Sequence, residues 1–170
     1  RFIEQDLSNA FSLGRRFDLI MSLEVAEHIR SDAAEVFVDN LCRHADAILF
    51  SAATPGQGGL HHVNERDYGF WRDRFAARGY RLFDFVRPAI VGMTEVEPWY
   101  RYNSLFFARG DAVARLSDIA AGTEIGTNES VPHRSPLNWR LRNALLDKMP
   151  ASWVQGLVGL KHWYATMRSR

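Results

Sequence analysis

Short apolar runs along the chain alternate with stretches whose apolar residues recur every three or four positions. The runs RFIEQDL, FDLIMSLE and AILFSAA predict strands near residues 1–6, 17–23 and 46–52. Between them, SDAAEVFVDNLCRHA places Ala34, Phe37, Val38 and Leu41 at helical spacing, with Ser31 or Asp32 as the N-cap. The segment NERDYGFWRDRFAARGY predicts a second helix, with Tyr68, Trp71, Phe75 and Ala76 on one face and a stop at Gly79. Two further strands are expected near 80–87 (RLFDFVRP) and 102–109 (NSLFFARG). Strands alternating with helices predict an α/β fold with a mostly parallel sheet. Only AIVGMTEVEPWYRY joins the last two strands, so one of them is expected to run antiparallel.

From Asp111 the texture changes. The helical stretch DAVARLSDIAAG is followed by the turn-rich TEIGTNESVPHRSP and two more candidate helices, NWRLRNALLDKM and SWVQGLVGLKHWYATMR. The last puts Trp153, Leu157, Leu160 and Tyr164 on one stripe. We expect that stripe to pack back onto the domain, ahead of a membrane-surface or partner helix. The chain is accordingly divided into a sheet-bearing part, 1–110, and a helical extension, 111–170.

Composition narrows the field. With 170 residues, 46% of them hydrophobic, the chain can bury one domain-sized core. A net charge of +1 argues against a nucleic-acid or other polyanionic partner. Lys occurs only at 148 and 161, an Arg preference better ascribed to codon usage than to phosphate binding. The single Cys42 excludes an internal disulfide framework, and no apolar run is long enough to span a bilayer. A cytoplasmic location is the expectation.

Candidate chemistry collects where the strands end. The first exits into QDLSN, the second into LEVAEH, the third into AATPGQGGLHHVNE. Ligands of open α/β sheets sit beyond the carboxyl ends of the strands, so three polar exits on one edge would surround a single crevice.

As a set, these segments resemble class I S-adenosylmethionine-dependent methyltransferases, of the type acting on small molecules and sugars. FDLIMSLEVAEHI is similar to the family's strand ending in E-V-x-E-H, and QDL to its acidic turn facing the adenine amino group. GGLHHVNE is similar to a substrate-side loop, and WYRYNSLFFARG to the last strand with its aromatic approach. The resemblance covers Phe2 to Gly110. It implies a Rossmann-like methyltransferase sheet and S-adenosylmethionine as cofactor, with Asp6 and Leu7 on the adenine side and Glu24 near the methionine end. The family's glycine-rich fingerprint is not found within residues 1–170, and Gly56 to Gly59 follow the wrong strand to replace it. Since the chain also opens at Arg1 directly on a strand pattern, we expect an N-terminally incomplete methyltransferase domain with a helical tail.

The resemblance makes His62, which precedes VNE, the first candidate for general base, with His61 beside it. The plainer alternative is a solvated histidine pair. A metal site from His61, His62, Glu65 and Asp67 ranks last, because an adjacent His pair lacks the i, i+4 spacing of a two-histidine zinc site. No metal is therefore expected. For Glu27 and His28 the plain roles lead: helix capping and packing on the sheet. Trp99 and Tyr100, expected in a loop before the last strand, are candidates for an acceptor-binding wall. The expected activity is methyl transfer to a hydroxyl or amine of a small molecule. The alternative is a non-catalytic α/β module that binds a partner through its C-terminal helices.

Overall fold

The computed structural model describes residues 2–150, together with 153 and 156. Its centre is an open five-stranded mixed sheet in the order β1-β2-β4-β3-β5. The strands are β1 (Ile20–Leu23), β2 (Ala47–Ser51), β3 (Arg81–Phe83), β4 (Leu105–Ala108) and β5 (Glu124–Ile125). β1 and β2 pair in parallel, and β4 runs antiparallel to both β2 and β3. β5 in turn runs antiparallel to β3, so among the described strands only β1 and β2 pair in parallel, and the mostly parallel sheet expected from sequence is corrected. The first reversal falls on β4, which no long crossover helix precedes.

Side chains alternate between the two faces of the sheet, and both faces are covered at β2 and β4. On one face Ile48, Phe50, Leu82, Leu105 and Phe107 meet helix α1 (Ala34–His44) and helix α2 (Tyr68–Ala76). Phe37 and Val38 come from α1; Trp71 and Phe75 come from α2. Phe75 stacks on Phe107 with ring centroids 4.2 Å apart. On the other face Ala47, Phe83 and Ala108 pack with Ala112 of helix α5 (Asp111–Ala114). Helix α2 starts where Asp67 accepts a hydrogen bond from the Phe70 amide, and the chain turns at Gly79 with a φ of 77°. Helix α1 has no side-chain cap; a 3₁₀ turn over Ser31–Ala33 leads into it, and Asp32 pairs with Arg30 instead.

Among the described residues, 2–6 form no strand, where one was expected near residues 1–6. Phe2 is 88% exposed, and the chain that follows is tied along α1 instead of to a strand. The buried Asn40 side chain donates to the carbonyls of Leu7 and Asn9 and accepts from the Phe11 amide, while His44 Nε2 accepts from the Leu13 amide. Backbone groups engaged in this way are not offered to a sheet. The apolar run that includes β1 is also only half buried: Leu19 is 45% and Met21 59% exposed. Among the described residues β1 pairs with β2 alone, so its outer edge is free.

Beyond residue 110 the expected single helix is split into α5 and α6 (Asp118–Ala121). The turn-rich segment contributes β5, which joins β3 through Leu82↔Ile125 and an Arg81–Glu124 ion pair. Helix α7 (Leu137–Asp147) forms as expected, whereas SWVQGLVGLKHWYATMR falls outside the described residues apart from Trp153 and Gly156. No helix among the described residues is long and apolar enough to cross a membrane.

Candidate functional site

Because β1 and β2 are parallel, both release their chains at the same sheet edge. Glu24, the first residue after β1, takes a left-handed backbone (φ 53°) and its amide donates to Ser51 at the end of β2. A non-glycine residue in that region is uncommon and is held only where the surroundings enforce it. Its carboxylate accepts from Gln57 Nε2 at 2.7 Å and from Asn103 Nδ2 at 3.3 Å. Asn103 Nδ2 also reaches Gln57 Oε1 at 2.8 Å, and Asn103 Oδ1 faces the buried Tyr68 hydroxyl at 3.2 Å. Asn103 ends helix α4 (Pro98–Asn103) just before β4, so the start of the antiparallel strand meets the ends of the parallel ones.

The second group lies one turn further. Glu27, in a 3₁₀ turn over Ala26–His28, is fully buried, and its carboxylate has no hydrogen-bond partner among the described residues. Burial first, then the neighbouring Glu24 carboxylate, push its pKa up to about 7; His62 and the backbone of Glu27 and Ala53 oppose the shift only in part. His62 Nε2 lies 3.8 Å from Glu27 Oε1, and His62 Nδ1 lies 2.7 Å from Glu65 Oε1. The Gly58 amide fixes that same Glu65 oxygen at 2.8 Å. The His28 ring packs edge-on against His62 at 4.9 Å, and its Nδ1 approaches the His61 carbonyl at 3.3 Å.

The loop bearing His62 is fastened at several points. The carbonyl of Glu27 accepts from the amides of both Val63 and Asn64. His61 takes a left-handed backbone (φ 61°), which aims its carbonyl at His28. A Cβ on Gly59 would overlap the His62 imidazole, and one on Gly56 would overlap the carbonyl of Asn143 in α7. Arg142 of α7 donates to the Gln57 carbonyl. The loop and the end of α7 border a cavity of about 480 Å³, lined by His62, Asn64 and Glu65 on the loop and by Leu146, Asp147 and Met149 beyond it.

Of the residues singled out from sequence, the structure gathers Glu24, Glu27, His28, His62 and Glu65 at one sheet edge, and His61 joins them through its backbone. Asp6 and Leu7 are placed along α1. The Asp6 carboxylate accepts from the Ser8 amide and the Asn9 side chain, closing its own turn, and Leu7 packs on the main core. Trp99 and Tyr100 stand in helix α4, not in a loop, and neither borders the cavity at His62. Asp67 is the cap of α2.

Sequence reasoning missed Gln57 and Asn103. Gln57 was read only as part of a glycine-rich loop, and Asn103 only as the start of an expected strand, whereas it ends α4. The buried Glu27 was given a capping role it does not have. Comparison with protein-family models, with curated proteins and with solved structures returns no match for this chain.

Proposed function

We propose that the chain serves S-adenosylmethionine-dependent methyl transfer to a hydroxyl or amine of a small molecule, sugars being the first acceptors to test. One observation supports this most: the exits of β1 and β2 and the approach to β4 meet in a single polar cluster beside a cavity of small-molecule size. The free edge of β1 is compatible with a sheet of the Rossmann-like methyltransferase type that extends further on that side.

When bound, the cofactor supplies a methyl group on a cationic sulfur. The Glu24 carboxylate, oriented by Gln57 and Asn103, provides fixed negative charge on the donor side. On the acceptor side, His62 donates Nδ1–H to Glu65, which leaves the Nε2 lone pair to take the acceptor's proton. Asp6 and Leu7 keep their proposed place on the adenine side. Asp6 retains lone pairs beyond the two its own turn uses.

The test is calorimetry with S-adenosylhomocysteine on this chain and on a version extended upstream of Arg1, followed by methyl-transfer assays. Binding by the extended protein is expected, and its absence would sink the cofactor assignment. His62→Ala should lower turnover about a hundredfold with cofactor affinity unchanged. Full turnover would remove His62 from the chemistry.

Partner binding through the tail helices is supported by a separate observation. Leu137, Leu141 and Leu145 of α7 are each more than 60% exposed and lie one helical turn apart. Leu141→Glu should abolish association without altering cofactor binding if that stripe is a docking face.

A further inference from the structure

A carboxylate that is fully buried, without a hydrogen-bond partner among the described residues and next to a second carboxylate, is an expensive arrangement for a protein to keep. Glu27 is placed so. What stands beside it are two imidazoles, and one ligand atom from each of Glu27, His28 and His62 falls within 4.8 Å of the others. We propose that these three side chains form a binding site for a divalent transition-metal ion of the zinc class, with Glu65 holding His62 from outside.

The donor set selects the ion. Two neutral imidazole nitrogens and one carboxylate oxygen suit Zn²⁺ and its first-row neighbours, whereas Mg²⁺ and Ca²⁺ favour oxygen throughout. Three protein ligands leave a fourth position open, and His62 borders the cavity of about 480 Å³ from which a small molecule could reach it.

The surroundings resemble the outer shell of such sites. A ligating imidazole commonly donates its other N–H to a carboxylate or a backbone carbonyl, which fixes ring and tautomer. Both histidines have that partner. His62 Nδ1 meets Glu65 Oε1 at 2.7 Å, and His28 Nδ1 meets the His61 carbonyl at 3.3 Å. The left-handed backbone at His61 is part of what places that carbonyl.

Bonds of about 2.0–2.2 Å require the donors to close to about 3.5 Å of one another. Glu27 and His62 are nearly there, at 3.8 Å, and binding would draw the exposed His28 inward by adjusting its 3.3 Å contact to the His61 carbonyl. The ion would supply the positive charge that the Glu27 carboxylate lacks. No metal is expected from sequence, and the set ranked last there, His61, His62, Glu65 and Asp67, is redrawn by the structure. Glu65 moves to the outer shell, and His61 contributes only its carbonyl.

The inference does not rest on methyl transfer, because binding is read without cofactor or acceptor. The two roles of His62 Nε2 do exclude each other at any one moment: a lone pair bound to an ion accepts no proton.

The test is calorimetric titration of Zn²⁺ into chelator-treated protein, with Co²⁺ absorption to report the ligand field and Mg²⁺ as the competing hard ion. One saturable Zn²⁺ per chain is expected. Glu65→Gln should weaken binding about ten- to a hundredfold, the usual effect of losing an outer-shell partner. Glu27→Gln and His62→Ala should each weaken it more. His28→Ala removes an exposed ligand with little risk to folding and should also weaken it. His133→Ala, outside the cluster, should leave it unchanged. Absence of saturable binding, preference for Mg²⁺, or wild-type Zn²⁺ affinity in Glu27→Gln and His28→Ala would each overturn the proposal.

Discussion

Replacing Glu27 by Gln in metal-free protein removes a buried charge while keeping nearly the same shape. The native carboxyl sits at about 7 against 4.5 for the unperturbed group. A raised acid binds its proton more tightly when folded, so stability is lost as pH climbs from the unfolded toward the folded value. Above pH 7 the wild type therefore carries a penalty of about 3 kcal/mol, roughly 2 of which develop between pH 5.5 and 8. Glu27→Gln abolishes this dependence. Urea unfolding with a chelator present, at pH 5.5 and pH 8, measures it directly. The substitution should stabilise the protein at pH 8 by up to about 3 kcal/mol and by clearly less at pH 5.5. The reasoning fails if the wild type loses no stability relative to the variant across that interval, or if the variant is the weaker protein at pH 8. Zn²⁺ at a thousand times its Kd should reverse the ranking, since it adds about 4.1 kcal/mol to the wild type.

Two further outcomes can be checked on the same preparation. Asp84→Asn leaves the fully buried Arg87 guanidinium without the carboxylate that now meets it at 2.7 and 2.9 Å, and should cost about 3–5 kcal/mol in a denaturant titration. A loss under 1 kcal/mol would mean that the Tyr102 carbonyl and the Tyr68 ring, which also face Arg87, suffice for it. Gly59→Ala should push the His62 ring out of place and weaken Zn²⁺ binding at little cost to stability, because a side chain yields there, not backbone. Unchanged Zn²⁺ affinity in that variant would show that ring position is not set by residue 59.

The central strands were legible as continuous apolar runs, since β2 is buried on both faces, and α2 through its helical spacing. Ile48 and Phe50 alternate with Ala47, and α2 presents Tyr68, Trp71 and Phe75 to the same core. RFIEQDL has the same composition as a strand, yet composition cannot show that Asn40 and His44 of α1 claim the neighbouring backbone. β5 was invisible for a related reason: two residues in a turn-rich segment carry no period, and the ladder with β3 and the Arg81 pair make it a strand. At the site, Glu24 and His62 stood out through their positions after core strands. Gln57 and Asn103 did not, because an amide is ordinary in sequence and acquires its role only when the fold points it at a carboxylate. Glu27 was assigned by the helix-start rule, which counts charge near an N-terminus and is blind to burial.

The two amides that bond to the Glu27 carbonyl, those of Val63 and Asn64, give the loop a built-in clock. Neither proton can exchange with solvent until the segment carrying His62 lifts away from the 3₁₀ turn carrying Glu27. Their exchange rates therefore time the breathing of this edge apart from global unfolding. An occupant that bridges the two segments must slow both amides together.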